Sequence, residues 1–378
     1  MILITIYGGL VMNDVTRYLA NIRPGMKRYF EILSREFPIW LLDYINTSEM
    51  LRLKDISQAC GTDYVKLYNH WDFYDVLEHS IGCALIVWNF TKDKKQTLSA
   101  LFHDISTPVF KHCIDFLDGD YEKQESTENL TVSMIKNSSE IMELLKRDGI
   151  KLEEVCDYHI YPIADNDSPR LSSDRLEYTF MNGYKMNYGI NFSLADIKKV
   201  YDDLEVQVNE DGIPELGFKT LEIAEKFVCD ASILWPNWCD NRYKLVGQFY
   251  ADIVKRLVDL GELTREDLYR YSEVEVIWFM RNSSDKKLSK TFRLFRECTV
   301  YHESNVEPAY DKYFISFNCK KRYLNPLVNI NGEYKRIYDV SKVVKERIDK
   351  FLGFETPKYA YFDFNFKDNR KTRKRKLY

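Results

Sequence analysis

Residues 74–90 carry helical periodicity with apolar side chains on two opposite faces. Leu77, Ile81, Leu85 and Trp88 form one stripe, and Cys83, Ile86 and Phe90 form the other. A helix that is apolar all round is stable in water only when other elements wrap it. The chain supplies candidates for that wrapping, because helical periodicity dominates from about residue 15 to 202, with breaks at Asp118-Gly119, Asp148-Gly149 and the polar stretch 164–169. The expectation is a mainly α protein whose first half is a helical domain built around that buried helix.

Further along, a turn-rich segment (209–217) precedes more helix up to about residue 296, with strong periodicity over 221–228 and 245–260. After Cys298 the pattern changes to short aromatic and β-branched runs, 313–318 and 322–330. Asn331-Gly332 then gives a hairpin signal, 340–352 reads as a helix capped by Ser341, and a terminal strand is expected over 359–366. The reading is a helical domain over 1–205, a helical extension over 206–297 packed on it, a small α+β lobe over 298–366 and a basic tail over 367–378.

Bulk properties exclude several classes. The formal net charge of −4 balances 54 basic against 58 acidic residues in a chain of 378, so no global field recruits nucleic acid or an anionic membrane, and any anion site must be local. Eight scattered cysteines lack a C-x-x-C pair and read as small core residues of a reducing compartment. The apolar run 1–12 has no basic n-region or cleavage site and is too short to span a bilayer. It suggests a short strand or an upstream start ahead of Met12, and a cytoplasmic protein with no membrane partner. With 27 Tyr and 22 Phe, aromatic packing should be extensive. The tail carries seven Lys or Arg and one Asp, read as a solvated end in preference to a nucleic-acid contact.

Chemistry concentrates in one place. Of six histidines, His70, His79, His103 and His112 fall within 43 residues. His79 lies on the second apolar face of the buried helix, where an imidazole needs partners for both ring nitrogens, and a metal with an acceptor behind it supplies both. In the next helix, expected over about 95–105, Leu98, Leu101, Phe102 and Ile105 form a stripe that leaves His103 and Asp104 on the other side, with small Ala100 between them and Pro108 ending the helix. Two imidazoles and one carboxylate leave a divalent ion short of protein ligands, and Asp174, at a helix start one turn before Tyr178, is the candidate fourth. Each residue taken singly has a plainer use: a buried histidine is more often a hydrogen-bonded core residue, and an aspartate in a first turn usually complements the helix dipole.

The surrounding words sharpen the pattern. Leu77-Glu78-His79-Ser80-Ile81-Gly82, then Leu101-Phe102-His103-Asp104-Ile105 with Pro108, Phe110 and His112, then Asp174-Arg175-Leu176-Glu177-Tyr178 resemble the H…HD…D signature of HD-domain phosphohydrolases. Arg52-Leu53-Lys54-Asp55-Ile56-Ser57-Gln58 with Gly61 is similar to a stretch found in deoxynucleoside triphosphate triphosphohydrolases, within the same superfamily. The resemblance covers about residues 47–190. It implies an HD-domain helical bundle, one divalent transition metal ion (Mn, Fe, Co, Ni or Zn) held by His79, His103, Asp104 and Asp174, and a homo-oligomer. It also implies Gln58 at a sugar, Arg175 at a phosphate, Tyr178 against sugar or base, and Asn182, where the family usually has aspartate, near the sugar hydroxyl.

Two departures bear on catalysis. Thr107 and Gln124 stand where family members carry histidines, and neither side chain shuttles protons near neutral pH. The acid/base candidates are then His112, Glu125 in the polar segment 122–128 and, third, His70, with Asp104 acting at the metal; His159 and His302 are expected to be structural. The expected function is hydrolysis of a nucleotide phosphoester, a deoxynucleoside triphosphate in the first place. Hydrolysis of a nucleoside monophosphate or cyclic nucleotide, or nucleotide binding by a regulator that keeps its metal, are the competing readings.

Overall fold

The computed structural model describes residues 22–121 and 130–367. The run 1–12, the Gln124-Glu125 pair and the tail beyond Lys367 lie outside the described residues. The fold is mainly α with a small strand-bearing lobe.

Sixteen α-helices occur among the described residues. In chain order they are α1 (Pro24–Leu33), α2 (Leu41–Ile45), α3 (Ser48–Leu51), α4 (Val76–Thr91), α5 (Lys94–Phe102), α6 (Cys113–Asp118), α7 (Thr131–Asn137) and α8 (Ser139–Asp148). They continue with α9 (Ser173–Lys185), α10 (Leu194–Asp202), α11 (Leu221–Leu234), α12 (Asn241–Asp259), α13 (Glu273–Asn282), α14 (Lys286–Glu297), α15 (Ile337–Val340) and α16 (Lys342–Leu352). The all-round-apolar helix is α4, started by Asp75, whose carboxylate accepts from the Glu78 N–H. Eleven of its sixteen residues are buried, and it packs on α1, α5 and α9, which makes it the axis of the bundle.

The neighbouring helix is shorter than its sequence pattern suggests. It is started by Asp93, whose carboxylate caps the Lys95 and Gln96 N–H groups, and it ends at Phe102. Beyond it the chain makes tighter turns, with Ile105 N–H donating to Phe102 O and Thr107 N–H to Asp104 O. The Arg52 guanidinium takes the carbonyls of Ile105 (3.0 Å) and Thr107 (2.9 Å). These carbonyls lie past the helix end and are satisfied from outside it; the chain has left the helix well before Pro108, so the proline is not its terminator. His103 and Asp104 therefore sit just past the last helical turn.

Breaks at Gly119 and Gly149 are left-handed helix ends. The segment 209–217 is the turn and second arm of a hairpin, β1 (Leu204–Val208) with β2 (Pro214–Phe218). Strand β2 runs parallel to β5 (Leu327–Ile330), which forms a hairpin with β6 (Glu333–Arg336) across Asn331-Gly332, both at positive φ. A second sheet has the order β3 (His302–Ser304), β7 (Tyr359–Phe362), β4 (Tyr313–Ile315). Aromatic packing fixes it to α12 and α14, with Phe249 stacked on Phe295 at 4.2 Å and edge-on to Tyr313 at 4.8 Å. Among the described residues no helix is long and apolar enough to cross a membrane.

Candidate metal centre

Helix α4 carries His79 into the bundle interior, where its ring is buried. Its Nδ1 lies 2.5 Å from Glu177 Oε2, and the same carboxylate accepts from Tyr29 Oη (3.0 Å) and Tyr74 Oη. An ionised carboxylate is an acceptor only, so the shared proton belongs on Nδ1 and the His79 Nε2 lone pair points away from Glu177. Across from it, His103 Nδ1 donates to Ala100 O at 2.7 Å, because a carbonyl can only accept. The His103 Nε2 is left bare in the same way when the ring is neutral.

The two bare nitrogens face each other at 3.1 Å. Asp174 Oδ1 lies 3.1 Å from His79 Nε2 and 3.7 Å from His103 Nε2, and Asp104 Oδ2 lies 3.8 Å and 3.7 Å from the same two atoms. Donors bound to a transition ion at about 2.0–2.2 Å stand roughly 3–3.5 Å from one another. The Nε2 pair and the Asp174–His79 pair have that spacing, and the remaining contacts at 3.7–3.8 Å are slightly wider; lone pairs converging this closely repel unless a cation sits among them, so the donor set can hold a divalent ion.

The protonation behaviour of the ion-free site agrees. Burial disfavours the charged form of His79, but Cys83, Glu177 and Asp174 outweigh it and hold the imidazole well above its usual range, so a proton takes the place that a cation would fill. Burial likewise opposes the charge on Asp104, yet Lys111, His103 and His79 keep that carboxyl well below the usual range. Asp174 is lowered by the same two imidazoles against its own burial. Cys83, one turn on from His79, also reaches the cluster, with Sγ 3.8 Å from both ring nitrogens of His79. Burial pushes its thiol up to about 12, so it presents a protonated sulfur, a poorer ligand than the charged Asp104.

A cleft of about 1190 Å³ opens over these donors and is lined by the expected substrate-binding residues Gln58, Arg175, Tyr178 and Asn182 and by the acid/base candidate His112. Their surroundings differ from the expectations in two cases. Arg175 is committed to its own loop, through Arg170 O (2.7 Å), Asn166 Oδ1 (2.6 Å) and the Asp165 carboxylate (3.0 Å). Asn182 caps the Tyr178 carbonyl with its amide (2.6 Å). Gln58 accepts from Lys111 Nζ at 2.8 Å, while its buried Nε2 has no partner among the described residues. His112 Nδ1 meets Asp115 Oδ2 at 2.8 Å, and burial lowers its pKa against the pull of that carboxylate. The bond turns Nε2 outward as a free base.

Thr107 does not line this cleft; its hydroxyl donates to Asp104 Oδ1 at 3.0 Å. His70 lies outside the lining, bonded through Nε2 to Thr62 Oγ1 at 2.7 Å. His159 does reach the cleft, where it pairs with Asp157, and His302 pairs with Asp363 in the lobe.

Two residues that sequence reasoning passed over matter here. Glu177 stood inside a quoted motif with no role, and only its position on the buried face of α9 reveals it. Lys111 donates to Asp104 Oδ2 at 2.7 Å. It is presented by consecutive positive-φ residues, Phe110 (+63°) and Lys111 (+44°), whose strain is held by the Phe110 N–H bond to Glu273 (3.1 Å) and by Phe110 stacking on Tyr250. No local sequence signal marks that turn.

No family model matches the chain. In sequence it is 25% identical over 311 residues to the uncharacterised protein YdhJ of Bacillus subtilis, covering 81% of this chain and 89% of that one. It is 21% identical over 304 residues to a metal-dependent phosphohydrolase of Cordyceps militaris, covering 78% and 81%. Its fold is similar to the crystal structure of a phosphohydrolase from Bacteroides thetaiotaomicron, with a TM-score of 0.56, 14% identity and coverage of 85% and 94%. The chain is thus similar in sequence to a protein named as a metal-dependent phosphohydrolase, and it shares its fold with the crystal structure of a phosphohydrolase.

Proposed function

We propose that this chain is a metal-dependent phosphohydrolase acting on a nucleotide phosphoester, a deoxynucleoside triphosphate in the first place. The observation that carries the reading is the convergence of His79, His103, Asp104 and Asp174 with both imidazole Nδ1 atoms tied back and both Nε2 atoms bare. The phosphohydrolase named among the sequence relatives supports it. His79, His103, Asp104 and Asp174 would hold an ion of the Mn, Fe, Co, Ni or Zn kind, which when bound would supply Lewis-acid polarisation of a phosphate oxygen and of the attacking water.

The chain's own residues do the rest. Glu177, Tyr29 and Tyr74 hold the His79 ring in one tautomer and orientation. Lys111 fixes the Asp104 carboxylate and the Gln58 carbonyl, leaving the Gln58 amide to donate to a sugar or phosphate oxygen. His112, oriented by Asp115, holds or releases a proton at Nε2 within the same cleft. Tyr178 packs edge-on against Trp238 at 5.3 Å, a wall against which a sugar or base can lie.

Thr107 favours one alternative. Its hydroxyl is spent on Asp104, so that position supplies no acid to a leaving oxygen. A monophosphate or cyclic nucleotide, with a different leaving side, is the second substrate class. A screen of nucleotides with added Mn separates them: triphosphate release supports the first class, inorganic phosphate or a linear nucleotide the second. Thermal stabilisation by nucleotides with no product over hours would instead indicate a binding regulator.

A further inference from the structure

The cations of the cleft are not equivalent. Lys111 is spent on Asp104 and Gln58, and Arg175 on Asp165 and its own loop. Arg322 also lines the cleft, yet it takes part in no hydrogen bond, ion pair or ring contact among the described residues. The groups that act most on its charge are Tyr243, Tyr178, Cys319 and Cys60, and no carboxylate is among them. Arg322 is half-buried, so its guanidinium faces the cleft without a protein anion and is free to exchange its water for an anionic ligand.

Its place in the chain is well fixed. Arg322 lies in the irregular stretch between β4 and β5. On one side Lys320 N–H donates to Tyr121 O (3.3 Å), and on the other Asn325 N–H donates to Pro169 O (2.8 Å). The Tyr323 ring packs against Trp235 at 6.1 Å and Leu324 is buried. These ties hold the C-terminal lobe against the helical bundle and keep Arg322 beside Tyr178 and His112.

We infer that Arg322, carried by the C-terminal lobe, is the phosphate anchor of this cleft, pairing its planar fork with phosphate oxygens of the substrate, so that the lobe completes the site. The inference rests on the phosphohydrolase reading for the identity of the ligand. Gln58, whose buried amide also lacks an acceptor, is the second donor available to the same anion. The fork geometry makes arginine better than lysine for bidentate phosphate recognition.

The test titrates inorganic tripolyphosphate into metal-loaded full-length protein by calorimetry. The expected result for Arg322→Ala is roughly tenfold or greater weakening, with partial recovery in Arg322→Lys and metal content equal to wild type in both. Arg322→Lys keeps the charge in place and so reads the fork even if the alanine variant is poorly folded. Wild-type affinity in both variants overturns the inference, as does a wild-type protein that does not bind the probe. The two claims fail separately. Turnover and affinity unchanged in Arg322→Ala sink the anchor and leave the hydrolase reading standing. Arg322-dependent binding in a protein that hydrolyses no nucleotide does the reverse.

Discussion

At the scale of single residues, the centre depends on which nitrogen of each histidine carries its proton. Glu177 settles that for His79, and its replacement by glutamine would let the amide nitrogen face Nδ1 and reverse the tautomer. Glu177→Gln is therefore expected to weaken metal binding by roughly 10–100-fold while leaving the four donors in place, as read by metal titration. The pH dependence follows from the same ring. In the ion-free site the His79 pKa is raised, so the charged form is favoured up to well above the usual imidazole range, and the ion must displace that proton. Releasing one proton per ion makes the apparent metal affinity fall by about tenfold per pH unit as the pH drops below that raised pKa. A metal titration series from pH 6 to 9 that showed a flat affinity would contradict this.

At the scale of elements, α4 and α9 meet so closely that only glycine fits between them. A Cβ on Gly82 would lie 2.6 Å from Glu177 Oε1 and 2.7 Å from its Cγ. Gly82→Ala must push the Glu177 carboxylate off His79, so it is expected to lower stability by about 1–3 kcal/mol and to weaken metal binding together. Thermal unfolding of the metal-free protein and metal titration read the two effects. Elements also show how far the sequence could be read. Helix α4 was legible because its apolar residues lie on all faces, and the β5–β6 hairpin because Asn331-Gly332 tolerates positive φ. The end of α5 was not, because the tight turns that follow Phe102 are held from some fifty positions away, by Arg52 on the carbonyls of Ile105 and Thr107. Strand β1 was missed for a related reason. Its burial inverts its pattern, with Val206 and Val208 exposed and Gln207 buried through a bond to Phe218 O.

At the scale of the whole molecule, the site draws on distant parts of the chain. Helix α4 gives His79, the turn after α5 gives His103 and Asp104, α9 gives Asp174 and Glu177, and the lobe beyond Cys298 gives Arg322. The four candidate donors could be singled out in the sequence because they sit inside local words of unusual composition, and the fold brings them together. Glu177, Lys111 and Arg322 were not, because what distinguishes them is the partners they have, or lack, across long sequence separations. The account predicts that removing the ion costs activity before it costs the fold. The bundle core around α4 is apolar and continuous, so metal-free protein should keep its helical content.

The central claim is most directly tested by elemental analysis of the purified full-length protein alongside the His103→Ala, Asp104→Ala double variant, with nucleotide hydrolysis measured on the same samples. The account predicts one transition-metal ion per chain and turnover in the wild type, with both lost in a variant that remains folded. A wild-type protein that holds no ion after loading, or a double variant that keeps its metal and its turnover, would contradict it.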